Sequence, residues 1–199
     1  MYSFIEVTPV HRTNAPTYAK YTQYRNLLKE DFKKRCAYCN DLDKYRIRSF
    51  AIDHFVPRTP LNFVTTIPAN KYDNLIYCCS FCNRAKWNKW PTNEESREND
   101  GNIGFMKPTN EDYKNLFFRN YSGRIIPKAN SNLALHLKNE LLLWHPIHSL
   151  MWRIEKLMAL EEQISQKLQK IDNDEIKSIH YRITKEITDI SRKIFDTND

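Results

Sequence analysis

A chain of 199 residues with 41% hydrophobic and 13% aromatic content can build a packed core, and three glycines argue against long flexible linkers. Its formal charge of +7 is uneven, because residues 1–149 carry 22 Lys+Arg against 14 Asp+Glu while residues 150–199 carry 9 against 10, so the first three quarters attract polyanions and the tail does not. With no basic start before an apolar run and no apolar stretch of about eighteen residues, neither a signal peptide nor a membrane span is expected, and the chain reads as cytoplasmic.

In chain order, residues 1–16 mix Pro9 and Pro16 with the β-formers Phe4, Ile5 and Val7 and predict an extended arm. Tyr21, Leu27, Leu28 and Phe32 share one helical face, predicting a helix from Tyr18 to Arg35 with Lys33-Lys34-Arg35 at its C-terminal end, where cations suit the dipole. Residues 44–52 alternate loosely and predict a strand that delivers Asp53 and His54. A loop over 59–72 follows, then a short helix within Tyr77 to Trp90 ended by Pro91. The polar segment 92–104 reads as a linker or mobile loop, and 113–126 as a hairpin turning at Ser122-Gly123. From Asn132 the pattern is helical. Two apolar stripes, Leu150 to Ile171 and Ile176 to Ile194, flank Asp172-Asn173-Asp174 as turn and N-cap, which predicts an antiparallel helical hairpin or, with the same pattern, a partner-binding coil.

The chemistry concentrates between Cys36 and Lys86. Five cysteines in a reducing compartment read as metal ligands plus one spare. Cys36-x-x-Cys39 and Cys79-x-x-Cys82 are the paired steps that a tetrahedral structural Zn2+ needs; Cys78 and Cys82, with three residues between them, are also a permitted step but do not match the first knuckle, so Cys79 is chosen over Cys78. Between the pairs stands Asp53-His54, and directly after the last cysteine Asn83. Asp53 and Asn83 offer hard oxygens suited to Mg2+ or Mn2+, whereas His54, on the opposite side of an extended chain, has the chemistry of a general base for water. Arg58, Arg84, Lys86 and Lys89 lie close enough in sequence to contact flanking phosphates. Trp87 and Trp90 could stack on bases, but their helical spacing favours the core. His145-x-x-His148 lacks a third ligand and carries little weight.

Asp53-His54-x-Val56-Pro57, then Asn74-Leu75 and Cys79-x-x-Cys82-Asn83-x-x-Lys86, resemble the HNH endonuclease family, the zinc-stapled ββα-metal nucleases, over about residues 30–90. The resemblance implies His54 as general base, Asp53 and Asn83 as ligands of the catalytic ion, and Asn74 as a brace for the loop bearing the base. The signature ends in Asn83 where many relatives have His, a variation also seen in RNA-guided nucleases, and this favours magnesium at that position. Phe118 through Ile126 and the helices after them look like the HNH proteins of bacterial anti-phage systems such as Septu and related retron effectors, which act with an ATPase partner.

The expectation is an α+β protein: an arm, helix and HNH core over 1–92, a linker and hairpin over 93–131, and a helical region over 132–199 that docks a partner. Its expected activity is hydrolysis of DNA phosphodiesters. The rival reading is a non-catalytic zinc module or scaffold that binds nucleic acid; Asp53, His54 and Asn83 discriminate, since a pure binder needs no such group beside its staple.

Overall fold

A computed structural model describes residues 1–46 and 50–196, so part of the expected strand, at 47–49, lies outside the described residues. Five α-helices and two small sheets are present among them. The N-terminal arm is extended as expected, and it is no loose tail. Strand β1 (Tyr2–Ser3) pairs antiparallel with β4 (Phe117–Arg119), which pairs with β5 (Ile125–Pro127) across the turn at Ser122-Gly123. Directly after β1, Phe4 and Ile5 enter the core.

Helix α1 (Arg25–Asp31), preceded by a 3-10 turn at Tyr21–Tyr24, is shorter than its apolar spacing implies. Tyr24, Leu28 and Phe32 are its buried face. The chain leaves the helix because Lys33 and Lys34 both adopt positive φ (54° and 58°), with the Lys34 N–H returning to the Lys29 carbonyl at 2.7 Å, a helix-ending turn that lysine side chains fill at some conformational cost.

The central unit is a two-stranded antiparallel ribbon, β2 (Ala51–His54) with β3 (Leu75–Cys78), followed by α2 (Ser80–Lys86). The register sets Asp53 opposite Ile76 and His54 opposite Leu75. All four β3 side chains are buried in the main core, where α1 packs against the strand. Helix α2 ends at Trp87, four residues before Pro91; the break is the positive φ of Trp87 and not the proline.

Residues 92–104 do not form the expected mobile linker. Glu95 accepts hydrogen bonds from Thr65 and Thr66, the Trp90 indole N–H donates to the Glu94 carbonyl at 2.8 Å, and Asn99 bridges to Gly104. Phe105, fully buried, then stacks on Trp90 with ring centroids 6.1 Å apart. The segment is a strap across the unit formed by β2, β3 and α2.

Helices α3 (Asn132–Glu140), α4 (Pro146–Leu168) and α5 (Asp174–Asp196) complete the chain. Asn173 caps α5, its side-chain oxygen accepting from the Ile176 N–H at 3.0 Å. The isoleucine stripe is used inside the chain: Ile190 and Ile194 pack with Ile147, Met151 and Ile154 of α4 against Phe81 and Tyr45. The hairpin's root is thus part of the fold, since Phe81 belongs to the helix that carries Cys82 and Asn83. Cutting the chain near Leu143 would therefore uncover Phe81, which speaks against treating the hairpin as a simple detachable docking element.

Candidate active site and zinc centre

The Sγ atoms of Cys36, Cys39, Cys79 and Cys82 lie within 4.8 Å of one another, all buried, and Cys78 is outside the group. Ligands held tetrahedrally at about 2.3 Å sit roughly 3.8 Å apart, and Cys39 to Cys79 is 3.8 Å. The two knuckles meet because the Ala37 N–H donates to the Tyr77 carbonyl at 3.0 Å, and because Cys79 is the N-cap of α2, its sulfur accepting from the Cys82 N–H. Burial pushes the thiols of Cys36, Cys39 and Cys82 up. In Cys79 burial is outweighed by hydrogen bonds from the other three thiols, which hold it well below the ordinary value. Four buried sulfurs converging within 4.8 Å of one another are the donor set of a thiophilic dication, and the residues fit zinc.

A second layer of charge surrounds this centre, and sequence spacing alone did not expose it. Asp41, two residues beyond Cys39 and buried, accepts from Arg46 at 2.6 Å, Arg119 at 3.2 Å and His148 Nδ1 at 3.0 Å. Arg119 also donates to the Cys39 carbonyl at 2.7 Å. Burial acts to lower the pKa of His148, but Cys39 and Asp41 hold it up at about 9, so it is an imidazolium at neutral pH. Three cations on one carboxylate, beside thiolates, offset the negative charge of a four-cysteine centre and tie α4 and β4 to the first knuckle. His148 is thus a structural cation, half of a His-x-x-His whose other member, His145, caps α4.

The ββα unit brings the other expected residues together. Asp53 and His54 share β2, Asn83 lies on α2, and the two elements pack directly. Both Asp53 and His54 are buried, with different neighbours, as alternation along a strand requires. Asp53 Oδ2 accepts from the Tyr38 hydroxyl at 2.6 Å and from Lys86 Nζ at 3.2 Å, which leaves Oδ1 without a partner among the described residues. Asn83 is half-buried and its side-chain amide likewise has no partner there. A free carboxylate oxygen and a free amide oxygen fit a hard divalent ion.

His54 donates from Nε2 to the Ala69 carbonyl at 2.8 Å, which fixes its tautomer and leaves Nδ1 as the lone-pair nitrogen. The Tyr21 ring meets the imidazole edge to face at 4.8 Å. Burial, chiefly, lowers the His54 pKa below its ordinary 6.5, with Arg58 and Lys86 acting in the same direction against the Ala69 bond and Asp53. The ring is therefore neutral at physiological pH.

Asn74 holds the turn after His54 from both sides, accepting from the Val56 N–H at 2.9 Å and donating to the Val56 carbonyl at 3.0 Å. Both contacts are buried. Asn74→Ala would leave a donor and an acceptor unpaired, at a cost of about 1–3 kcal/mol for each such group. We expect a lower melting temperature together with a fall in any His54-dependent rate, and Asn74→Asp, which keeps one of the two bonds, should lie between; equal behaviour of Asn74→Ala and the parent in both measurements would remove Asn74 from the site.

One expected phosphate contact needs correction. Lys86 is fully buried, with Nζ on the His54 carbonyl at 3.0 Å and on Asp53, over the Phe105 ring, so it has no access to a flanking phosphate. It falls on the core-facing stripe of α2, one turn after Cys82. Lys89 is half-buried and pairs with Glu140 at 3.0 Å. Arg58 and Arg84 are exposed, Arg58 lying over the Tyr21 ring. Of the tryptophans, Trp90 is core as expected, but Trp87 is 60% exposed.

The knuckles, ribbon and helix define a cysteine-stapled ββα unit that carries Asp53 and His54 on its ribbon and Asn83 on its helix. Residues 36–89 match the family model described as HNH endonuclease, a span that takes in all four cysteines, Asp53, His54, Asn74 and Asn83. No curated protein and no solved structure gives a match. Among the described residues no helix is long and apolar enough to cross a membrane.

Proposed function

We propose that the protein is a divalent-metal-dependent endonuclease that hydrolyses DNA phosphodiester bonds. The observation that carries this reading is His54: a buried, neutral imidazole with one nitrogen locked on the Ala69 carbonyl and the other left free, next in sequence to a carboxylate that keeps an oxygen unpartnered. Asp53 Oδ1 and the Asn83 amide oxygen would hold Mg2+ or Mn2+. The ion supplies Lewis-acid stabilisation of charge on the scissile phosphate and the leaving oxygen.

The chain's own residues do the rest. His54 Nδ1 takes a proton from the attacking water, and the imidazolium so formed keeps its Nε2–H on Ala69, so the ring does not turn between the two states. Tyr38 and Lys86 pin Oδ2 of Asp53 and so set the rotamer that presents Oδ1. Lys86 also neutralises the buried carboxylate, which otherwise would be costly to hold ionised. The four-cysteine zinc centre supports α2 and takes no part in the proton transfer. The proposed role as an effector in anti-phage defence beside an ATPase chain rests only on the resemblance of the hairpin and helices that follow Phe118.

The test is nicking of supercoiled plasmid with Mg2+, with Mn2+ and with chelator, by the parent protein and by His54→Ala. Metal-dependent nicking by the parent alone supports the reading; binding without nicking under every metal would favour a zinc-containing DNA-binding module. The pH profile adds a sharper prediction. Because burial lowers the His54 pKa, the base is deprotonated, and the rate at its plateau, above a midpoint that lies below 6.5; the rate falls as pH drops through that lowered value. Single-turnover rates between pH 5 and 8 check this, and a midpoint above 6.5 would contradict it.

A further inference from the structure

The exposed indole of Trp87 stands where neither fold nor packing calls for it. Its backbone lies at φ 47° and ψ −133°, a region that side chains rarely enter and that glycine fills without strain. Bulky residues persist in such conformations when the surroundings enforce them, most often at functional sites. Trp90, three residues on, does the core work, 4% exposed against Phe55 and Phe105. Trp87 by contrast is 60% exposed, and its ring has no aromatic, cationic or hydrogen-bonding partner among the described residues.

Its position is informative. The Trp87 N–H donates to the Asn83 carbonyl at 2.9 Å, so the residue sits one turn beyond the proposed ion ligand. The turn that carries it is tied across to the loop after Arg58 by the Asn88 amide, which donates to the Thr59 hydroxyl at 3.1 Å. Arg84, three residues before Trp87 on α2, and Arg58, next to Thr59 and over the Tyr21 ring, are exposed and make no ion pair among the described residues. An exposed indole on the helix end that carries exposed Arg84, tied to the loop after exposed Arg58 and next to a candidate phosphodiesterase site, has the composition of a surface that grips a strand by its phosphates and stacks on its bases.

We propose that Trp87 stacks on a nucleobase, and that the preferred substrate is DNA with an unpaired or unstacked base beside the scissile phosphate. This rests on the endonuclease reading and narrows it. An indole needs a bare base face, and in an intact duplex those faces are covered by neighbouring base pairs. A strand, a gap or a kinked junction exposes one. The strained turn keeps the ring out of the core and ready for that face, at the expense of local stability.

The two roles of Trp87 separate in one substitution. Trp87→Gly relieves the backbone and removes the ring, so its melting temperature should equal or exceed the parent's while its affinity for unpaired DNA falls. In a His54→Ala background, which prevents cleavage, binding is measured to three forms of one sequence: a single strand, a closed duplex and a duplex with a one-nucleotide gap. The single strand and gapped duplex should bind more tightly than the closed duplex, and Trp87→Gly should weaken those two by roughly 5- to 100-fold, the worth of one stacked base, leaving the closed duplex unchanged. Trp87→Phe should keep most of the affinity. Equal affinities of Trp87→Gly and the parent, a uniform loss on all three DNAs, or a lowered melting temperature with the loss would each overturn the stacking role. Cleavage by the chain with His54 intact tells the two readings apart: if Trp87→Gly cuts every DNA as the parent does, stacking fails and the nuclease stands, whereas if the parent cuts none, the nuclease reading fails.

Discussion

Cys79→Ser should leave a protein without stoichiometric zinc and without a cooperative thermal transition in the ββα unit, whereas Cys78→Ala should keep one zinc per chain. The two sulfurs are neighbours in sequence and both are buried, yet only Cys79 lies within the four-sulfur group. The size of the effect follows from what the ion does in folding. Structural zinc contributes apparent binding energies of about 10–16 kcal/mol in small zinc units, while a whole domain is stable by only about 5–15 kcal/mol. Losing one thiolate breaks the link that the ion makes between the two knuckles and leaves Arg119, Arg46 and His148 with less negative charge to meet, while the serine hydroxyl can still cap α2. Truncating Cys78 removes a buried sulfur from the end of β3 and costs no more than an ordinary small cavity. Metal analysis and a thermal melt of both variants decide the matter. Zinc lost from Cys78→Ala and kept in Cys79→Ser would reverse the ligand choice.

What was legible in the sequence was short-range chemistry with strict spacing. The cysteine steps could be placed because a tetrahedral site demands particular atoms at a particular interval, and the apolar stripes of α4 and α5 because their period is long and regular. Long-range pairing was not legible. Lys86 and Asp53 are 33 positions apart, and nothing in a linear pattern says that a lysine after a zinc ligand turns inward. One signal was there: four residues after Cys82 on the same helix face, Lys86 had to follow that cysteine into the core. The cluster of Asp41, Arg46, Arg119 and His148 draws on three segments far apart in sequence, so no local motif encodes it. Element ends were misplaced where non-glycine residues take positive φ, at Lys33, Lys34 and Trp87, since propensity favours continuing the helix there. The stretch 92–104 looked like a linker by composition, yet its polar side chains are spent on hydrogen bonds to the loop that follows His54.

His54→Ala should lower DNA cleavage by about 10²–10⁴-fold, the usual worth of a positioned general base, with zinc content, melting temperature and DNA affinity close to the parent's. The removed contacts are few: one bond to Ala69 and the edge of Tyr21. Asp53→Ala is a less clean probe than the role of an ion ligand alone suggests. It strands the Lys86 ammonium, fully buried, and the Tyr38 hydroxyl. Breaking a buried pair by removing one partner costs about 3–5 kcal/mol, so that variant should lose activity partly by unfolding. Asp53→Asn retains an oxygen for Tyr38 and Lys86 and separates the effects: a smaller drop in melting temperature but a large loss of cleavage, relieved in part by raising the metal concentration. Asn83→Ala, half-buried and without a protein partner to strand, should lose cleavage with little change in stability. A manganese titration of the four variants sorts them, because added ion can compensate a weakened oxygen ligand and cannot replace a missing base. Cleavage by His54→Ala at the parent's rate in both metals would remove the imidazole from the reaction and, with it, the main support for a nuclease at this site.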